Sequence, residues 1–245
     1  MRIFGLVLAG VMVALPASAV EDGWSGEGSF SASTSTGNTE TTQLGLGVDL
    51  DYKTGRWIYG ANASADYGET DGVETQNRFQ LGGKVDVQLG DRLFAFGQGS
   101  YESNEFSGFE SRIFVGGGLG YEIISSDTMS WSVRGGPGFK IDEVREVSSG
   151  GVVTTPGETV ESFSVLANSD FSYDFNDNVS LTNVTSGIYA EESTQITNTT
   201  ALTASLTNAL SARMSFDVRH DTNPPDGFEA TDTTTKVSIV YKFNN

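Results

Sequence analysis

Residues 42–52 read TQLGLGVDLDY, and the fold turns on how they are read. Leu44, Leu46, Val48, Leu50 and Tyr52 share one parity, while Gln43, Asp49 and Asp51 hold the other. Successive side chains of an extended strand point to opposite faces, so this stretch makes a ribbon with one apolar, aromatic-ended face and one polar face. Such a face lines the core of a soluble sandwich or meets the hydrocarbon of a membrane.

The pattern recurs along the chain. Residues 57–67 (WIYGANASADY) set Trp57, Tyr59 and Tyr67 opposite Asn62, Ser64 and Asp66, and residues 78–89 (RFQLGGKVDVQL) set Phe79, Leu81 and Val85 opposite Arg78, Lys84 and Asp86. RIFVGGGLGYEI (112–123), WSVRGGPGFKID (131–142), MSFDVRHD (214–221) and KVSIVYKF (236–243) repeat it. The opening WSGEGSFSASTST (24–36) alternates small or acidic residues, Ser25 to Ser35, with Trp24, Phe30 and their neighbours. Alternation weakens over 163–210, where Thr and Asn occupy both parities, and over 93–101, where Phe94 and Phe96 fall on the otherwise polar side.

Turn signals divide these segments into twelve expected strands. Short connections at 53–56, 89–92, 125–127, 175–178 and 208–212 alternate with a compact one at 37–40 and longer ones at 69–75, 102–110, 145–159, 190–194 and 222–230. An even number of antiparallel strands, with short turns at one end and longer loops at the other, predicts an all-β, single-domain transmembrane barrel with its termini in the periplasm. Three features favour the membrane over a sandwich: aromatics at both ends of the apolar faces, a closing strand of the outer-membrane type, and an export signal without an anchor. Arg2, the apolar run from Ile3 to Leu15 and Ala17-Ser18-Ala19 have the layout of a cleaved secretory signal. Residues 1–19 are therefore expected to be the signal peptide and 20–245 the barrel.

The chain has no cysteine, so no disulfide supports the fold. Its 14 Lys and Arg against 32 Asp and Glu give a formal charge of -18, which repels nucleic acid and attracts cations. If the apolar parity faces lipid, the lumen receives charges of both signs: Arg78, Lys84, Arg112, Arg134 and Lys140 with Asp49, Asp86 and Asp142. These either pair across a narrow interior or line a water-filled path for ions and small polar solutes. Lumenal glycines such as Gly116, Gly118 and Gly120 signal either an opening or sharp curvature. Arg213 is expected at the short-turn end, and the row of serines on the first strand marks the expected place for a water-filled gap. The longer loops are almost wholly acidic, with Arg145 against Glu69, Glu74, Glu105, Glu146, Glu229 and others. They are candidates for binding divalent cations and lipopolysaccharide.

No cofactor or metal site is expected. Residues 174–178 start like a calcium loop but lack the central glycine and the closing glutamate, and Gly116 to Gly120 precede no helix pattern that could cradle phosphate. His220 and Asp221 are adjacent on a strand and so face opposite ways, a poor catalytic dyad. The chain is accordingly not expected to be an enzyme.

WSGEGSFSASTSTGNTETT, DYKTGRW, FQLGGK, DRLFAFGQGSYESNEFSG, GGGLGYEII and DTNPPDGFEATDTTTKVSIVYKF together resemble the bacterial family of salt-induced, YdiY-like outer-membrane proteins. The resemblance implies a Gram-negative outer-membrane location and a link to salt or osmotic stress, and it supplies no catalytic residue. Tyr241 and Phe243 resemble the terminal signal read by the barrel-assembly machinery, with Asn244 and Asn245 trailing where that signal usually ends. A narrow passive channel and a closed, envelope-stabilising barrel are the two leading functional expectations.

Overall fold

The computed structural model describes residues 22–35, 41–149, 152–225 and 227–244. The expected signal peptide and the first loop at 37–40 lie outside them. Fourteen strands are present among the described residues. In chain order they are β1 (Gly23–Ser35), β2 (Thr41–Thr54), β3 (Trp57–Thr70), β4 (Val73–Gln88), β5 (Leu93–Asn104), β6 (Phe109–Ser125) and β7 (Met129–Val144). Then follow β8 (Val147–Ser149), β9 (Val152–Thr155), β10 (Glu158–Asn176), β11 (Val179–Ala190), β12 (Gln195–Ser205), β13 (Leu210–Asp221) and β14 (Thr231–Asn244).

Twelve of these close into an antiparallel barrel in the order β1-β14-β13-β12-β11-β10-β7-β6-β5-β4-β3-β2. The remaining two, β8 and β9, form a small hairpin inside the connection between β7 and β10. That hairpin occupies the glycine-rich stretch after Arg145 expected as a long loop. The barrel strands run from 11 to 19 residues, and most exceed the 9–11 that cross a bilayer, so several project beyond it. No described helix is long and apolar enough to cross a membrane.

Burial decides between sandwich and membrane barrel. Among the described residues, seventeen polar or charged side chains are buried against nine apolar ones. Meanwhile Leu81, Val115 and Phe163 stand 50%, 61% and 87% exposed on the outside. A soluble sandwich does the reverse, because water would then meet the apolar face. Aromatic rings gather near the terminal end of the outer surface, where Trp24 meets Tyr52 at 4.9 Å and Trp57 stacks on Tyr59 at 6.2 Å. Phe139 and Phe163 meet edge to face at 5.5 Å towards the other end. These are the interfacial girdles of a membrane barrel.

Three expectations about connections need correction. Residues 69–75 do not form a long loop: Asp71 and Gly72 turn the chain by themselves with φ of 50° and 75°. Two consecutive left-handed residues match the twist of a hairpin, and an Asp-Gly pair tolerates them. The connections at 105–108 and 191–194 are also short, so among the described residues the extended connections are those from β7 to β10 and from β13 to β14. Weak alternation over 163–210 nevertheless yields three continuous strands, because Thr and Val suit a pleated surface whichever way they face.

The glycines of β6 and β7 make a crease. A Cβ on Gly118 would collide with the carbonyl oxygen of Gly135, and one on Gly136 with that of Gly117. Their ladder is interrupted between Gly116↔Gly138 and Leu119↔Gly135. The space these glycines leave is filled: the Phe94 ring occupies the Cβ position of Gly120, and the Phe114 ring that of Gly116 and Gly138. Of the two meanings the lumenal glycines allowed, curvature holds here.

Candidate functional site: a lumen crossed by ion pairs

The lumen is the place where this sequence puts its unusual chemistry. Each strand sends alternate side chains inward, so a charge near the middle of a strand has no water except what the barrel admits. Such charges persist only when paired. Two groups of pairs result, one nearer the termini and one nearer the far loops.

Nearer the termini, Arg213 on β13 grips Glu27 on β1 through two bonds of 2.5 and 3.0 Å, and its Nε donates to Thr203 at 3.0 Å. Arg213 is 7% exposed and Glu27 8%. Arg213 therefore lies inside the lumen near its short-turn end, an inward facing that follows from its sharing a parity with the buried Ser211 and Ser215. Arg134 on β7 reaches Asp86 on β4 at 3.2 Å and Asp170 on β10 at 3.6 Å. It also lies over the rings of Phe94 and Phe96, 5.2 and 5.5 Å from their centroids. Lys84 pairs with Asp51 at 3.3 Å. Asp49 faces inward near Glu27, Arg213 and Lys84 without a salt bridge of its own among the described residues.

Nearer the far end the pairs span more of the barrel. Arg219 on β13 donates to both oxygens of Glu102 on β5, at 2.6 and 2.8 Å. Those two strands are six places apart in either direction around the twelve-membered ring, hence diametrically opposite. Glu102 also accepts from Gln80 at 2.8 Å and pairs with Arg78 at 3.5 Å. Arg112 on β6 donates to Asp221 on β13 at 2.5 Å and pairs with Asp142 at 3.4 Å. With its amide oxygen turned towards that guanidinium, Gln195 accepts from Arg112 as well. Lys140, 1% exposed, holds Asp142 at 2.8 Å and donates to Ser193 in the 191–194 connection at 3.4 Å. Ser193 in turn donates to Asp221 at 2.7 Å. The far mouth is thus drawn inward. Lys236 on β14 meets Asp66 on β3 at 2.7 Å.

Of the eight lumenal residues read from the sequence, the structure joins Arg134 to Asp86, and Arg112 and Lys140 to Asp142. The partners of Arg78 and Lys84 are Glu102 and Asp51. Glu102 escaped notice because it begins the stretch expected as a loop, whereas β5 extends two residues past it. Phe94, Phe96, Phe114 and Leu166 form a buried apolar cluster on the inner wall, with Ile188 packed against it. Wrong-parity aromatics at 94 and 96 were its signal.

Between the described side chains lie a narrow cavity and a wider vestibule. Beside the serine row, Ser29 and Ser31 with Asp66, Ser215 and Lys236 border a cavity of about 30 Å³, enough for one or two waters. A larger vestibule of about 210 Å³ opens towards the far end, between Phe106, Phe228, Gln98, Ser100 and the Arg219–Glu102 pair. The serine row therefore borders a gap, and the Lys236–Asp66 pair lines it as well.

His220 makes no dyad with Asp221. Its Nδ1 is 2.8 Å from the hydroxyl of Thr231, and Asp221 is committed to Arg112 and Ser193. No grouping of three or more metal-binding side chains is found among the described residues. Tyr241 and Phe243 lie on the closing strand, where they pair with Gly28 and Gly26 of β1.

The family described as "Protein of unknown function, DUF481" matches residues 28–243. The chain is similar to the uncharacterized protein YdiY of Escherichia coli (strain K12), with 23% identity over 208 residues, 84% of this chain and 77% of that one. The resemblance read from the sequence is thereby borne out. Among solved structures it is similar to the translocator domain of the autotransporter NalP from Neisseria meningitidis, at TM-score 0.56 and 14% identity over 92% of this chain and 90% of that one. It is also similar to the COG4313 outer membrane channel from Pseudomonas putida F1, at TM-score 0.55 and 11% identity over 96% and 100%. The shared feature is the barrel, a fold that outer-membrane proteins adopt.

Proposed function

Since this chain belongs to the family described as "Protein of unknown function, DUF481", and since its polar lumen is spanned from wall to wall, we propose that it is an outer-membrane barrel held shut by its own charges. The observation that carries this reading is the Arg219–Glu102 pair between diametrically opposite strands. A barrel of eight strands is filled by its side chains and one of sixteen or more leaves an aqueous channel. Twelve strands here are narrowed to the first condition by side chains that reach each other across the middle.

In this reading residues 1–19 export the chain and are removed, and Tyr241 and Phe243 deliver it to the assembly machinery. The short turns face the periplasm, and the acidic outer loops gather divalent cations beside lipopolysaccharide phosphates. A role in salt or osmotic stress rests on the family resemblance. With His220 held by Thr231 on one face and Asp221 held by Arg112 on the other, the geometry supports a non-enzymatic role.

A narrow passive channel is the second reading, favoured by the vestibule: its polar lining leads directly to the Arg219–Glu102 pair, where ions would pass if the pair parted. Recording from the purified full chain in a planar lipid bilayer separates the two. The closed reading expects a silent wild type and stable conductance steps in the Arg219→Ala, Glu102→Ala double variant. Regular wild-type steps that vanish or change on Arg112→Ala would establish the channel instead.

A further inference from the structure

The lipid-facing surface of β11 and β12 is not uniformly apolar. Odd-numbered positions of β11 and even-numbered positions of β12 face outward, opposite the buried Thr182, Ala190, Ala201 and Thr203. Near the middle of both strands these outward positions are Asn183, Thr185, Asn198 and Thr200, directly paired as Asn183↔Thr200 and Thr185↔Asn198. Leu181, Leu202 and Phe216 flank them on the same face. Elsewhere this belt carries the Leu, Val and aromatic residues that lipid accepts.

The four side chains bond to one another. Asn183 Nδ2 donates to Thr200 Oγ1 at 2.8 Å and to Asn198 Oδ1 at 3.4 Å, and Asn198 Nδ2 donates to Thr185 Oγ1 at 2.7 Å. Thr185 returns a bond to Asn183 Oδ1 at 3.3 Å, and Thr200 one to Asn198 Oδ1 at 3.2 Å. An amide offers two N–H groups and two lone pairs, so the Asn198 nitrogen, with one bond donated, and the Asn183 oxygen, with one accepted, keep unused capacity. The next outward residue on β10, Ser169, is capped by the Trp131 indole at 3.0 Å. Acyl chains supply neither donors nor acceptors, and polar side chains left facing them become the contact by which membrane segments associate.

We propose that this patch is the interface at which two copies of this chain associate in the membrane. The occupant is a second copy for a geometric reason. Two chains inserted the same way carry the patch at the same depth, and a two-fold axis along the membrane normal brings the set of Asn and Thr onto itself. Every group in it is neutral and both donor and acceptor, so the contact is self-complementary without charge repulsion. A different partner would need its own polar patch on a lipid-facing wall at matching depth. The inference rests on the membrane-barrel fold and is independent of whether the lumen conducts.

The absence of native cysteine makes the test direct. Thr200→Cys, in the full chain reconstituted in lipid vesicles, is expected to give a disulfide-linked dimer under mild oxidation. Leu81→Cys, on β4 directly across the ring from β12 and 50% exposed, is expected to remain monomeric. Asn183→Leu with Asn198→Leu is expected to lower the dimer fraction about tenfold at fixed protein-to-lipid ratio, with heat-dependent gel mobility reporting that the barrel is folded. Equal cross-linking at positions 200 and 81, or a folded double variant as dimeric as the wild type, would overturn the proposal. So would a position-200 adduct with another protein in native membranes in place of the dimer.

Discussion

The two ends of the lumen use the same chemistry for different work. Near the termini, Arg213–Glu27 and Lys84–Asp51 each reach over two strand steps and Arg134–Asp86 over three, so they tie neighbouring parts of one wall. Near the far loops, Arg219–Glu102 spans six steps and Arg112–Asp221 five, so they tie opposite walls. An ion pair between near neighbours stiffens a wall and leaves the bore unchanged. One between opposite strands occupies the bore itself. Strand separation, and not charge or burial, decides which role a pair takes.

The most severe test of that contrast is Arg213→Ala. It leaves Glu27 buried and uncompensated, and the expected loss is about 3–5 kcal/mol, measured by urea unfolding of the barrel in lipid vesicles. Bilayer conductance should stay silent, because no opposite wall has been released. Replacing both partners, Arg213→Met with Glu27→Leu, should recover most of the loss, since a well-packed apolar pair can match a buried ionic one.

Next in size is Gly136→Ala at the β6–β7 crease. Its new methyl meets the Gly117 carbonyl, a backbone group with little room to yield, and overpacking of this kind costs about 1–3 kcal/mol. Unchanged urea stability would show that the crease is slack and not closely packed. Smallest should be Lys84→Met. Its partner Asp51 is 33% exposed, so the pair contributes about 0.5 kcal/mol or less, and neither urea midpoint nor conductance should move measurably. A conductance opened by Lys84→Met but not by the Arg219, Glu102 double change would invert the assignment of the two ends.

Sequence periodicity carried much of this architecture. Alternation located twelve strands and sorted Arg112, Arg134 and Lys140 to the interior, because facing is a local property of a strand with period two. The partners were less accessible. Glu102 and Arg219 are 117 residues apart, and what brings them together is the shape of the closed ring, which no window of sequence contains. Phe94 and Phe96 were visible as exceptions to parity, yet that Phe94 fills the hollow of Gly120, as Phe114 fills those of Gly116 and Gly138, depends on β5, β6 and β7 lying side by side. Thr and Asn on both parities of 163–210 read as a faint strand signal. On the outer face of β11 and β12 they are instead a hydrogen-bonded patch.

The Arg213–Glu27 clasp bears on the order of events when the barrel forms. Its two halves sit on strands separated only by β14, yet 186 residues apart along the chain. Neither charge can meet the other until β14 has zipped against both β13 and β1. Contacts so distant in sequence form late, so the clasp is made after the transition state for closure. Removing it should leave the rate of barrel formation nearly untouched and hasten seam opening: a lock turned once the door is already shut.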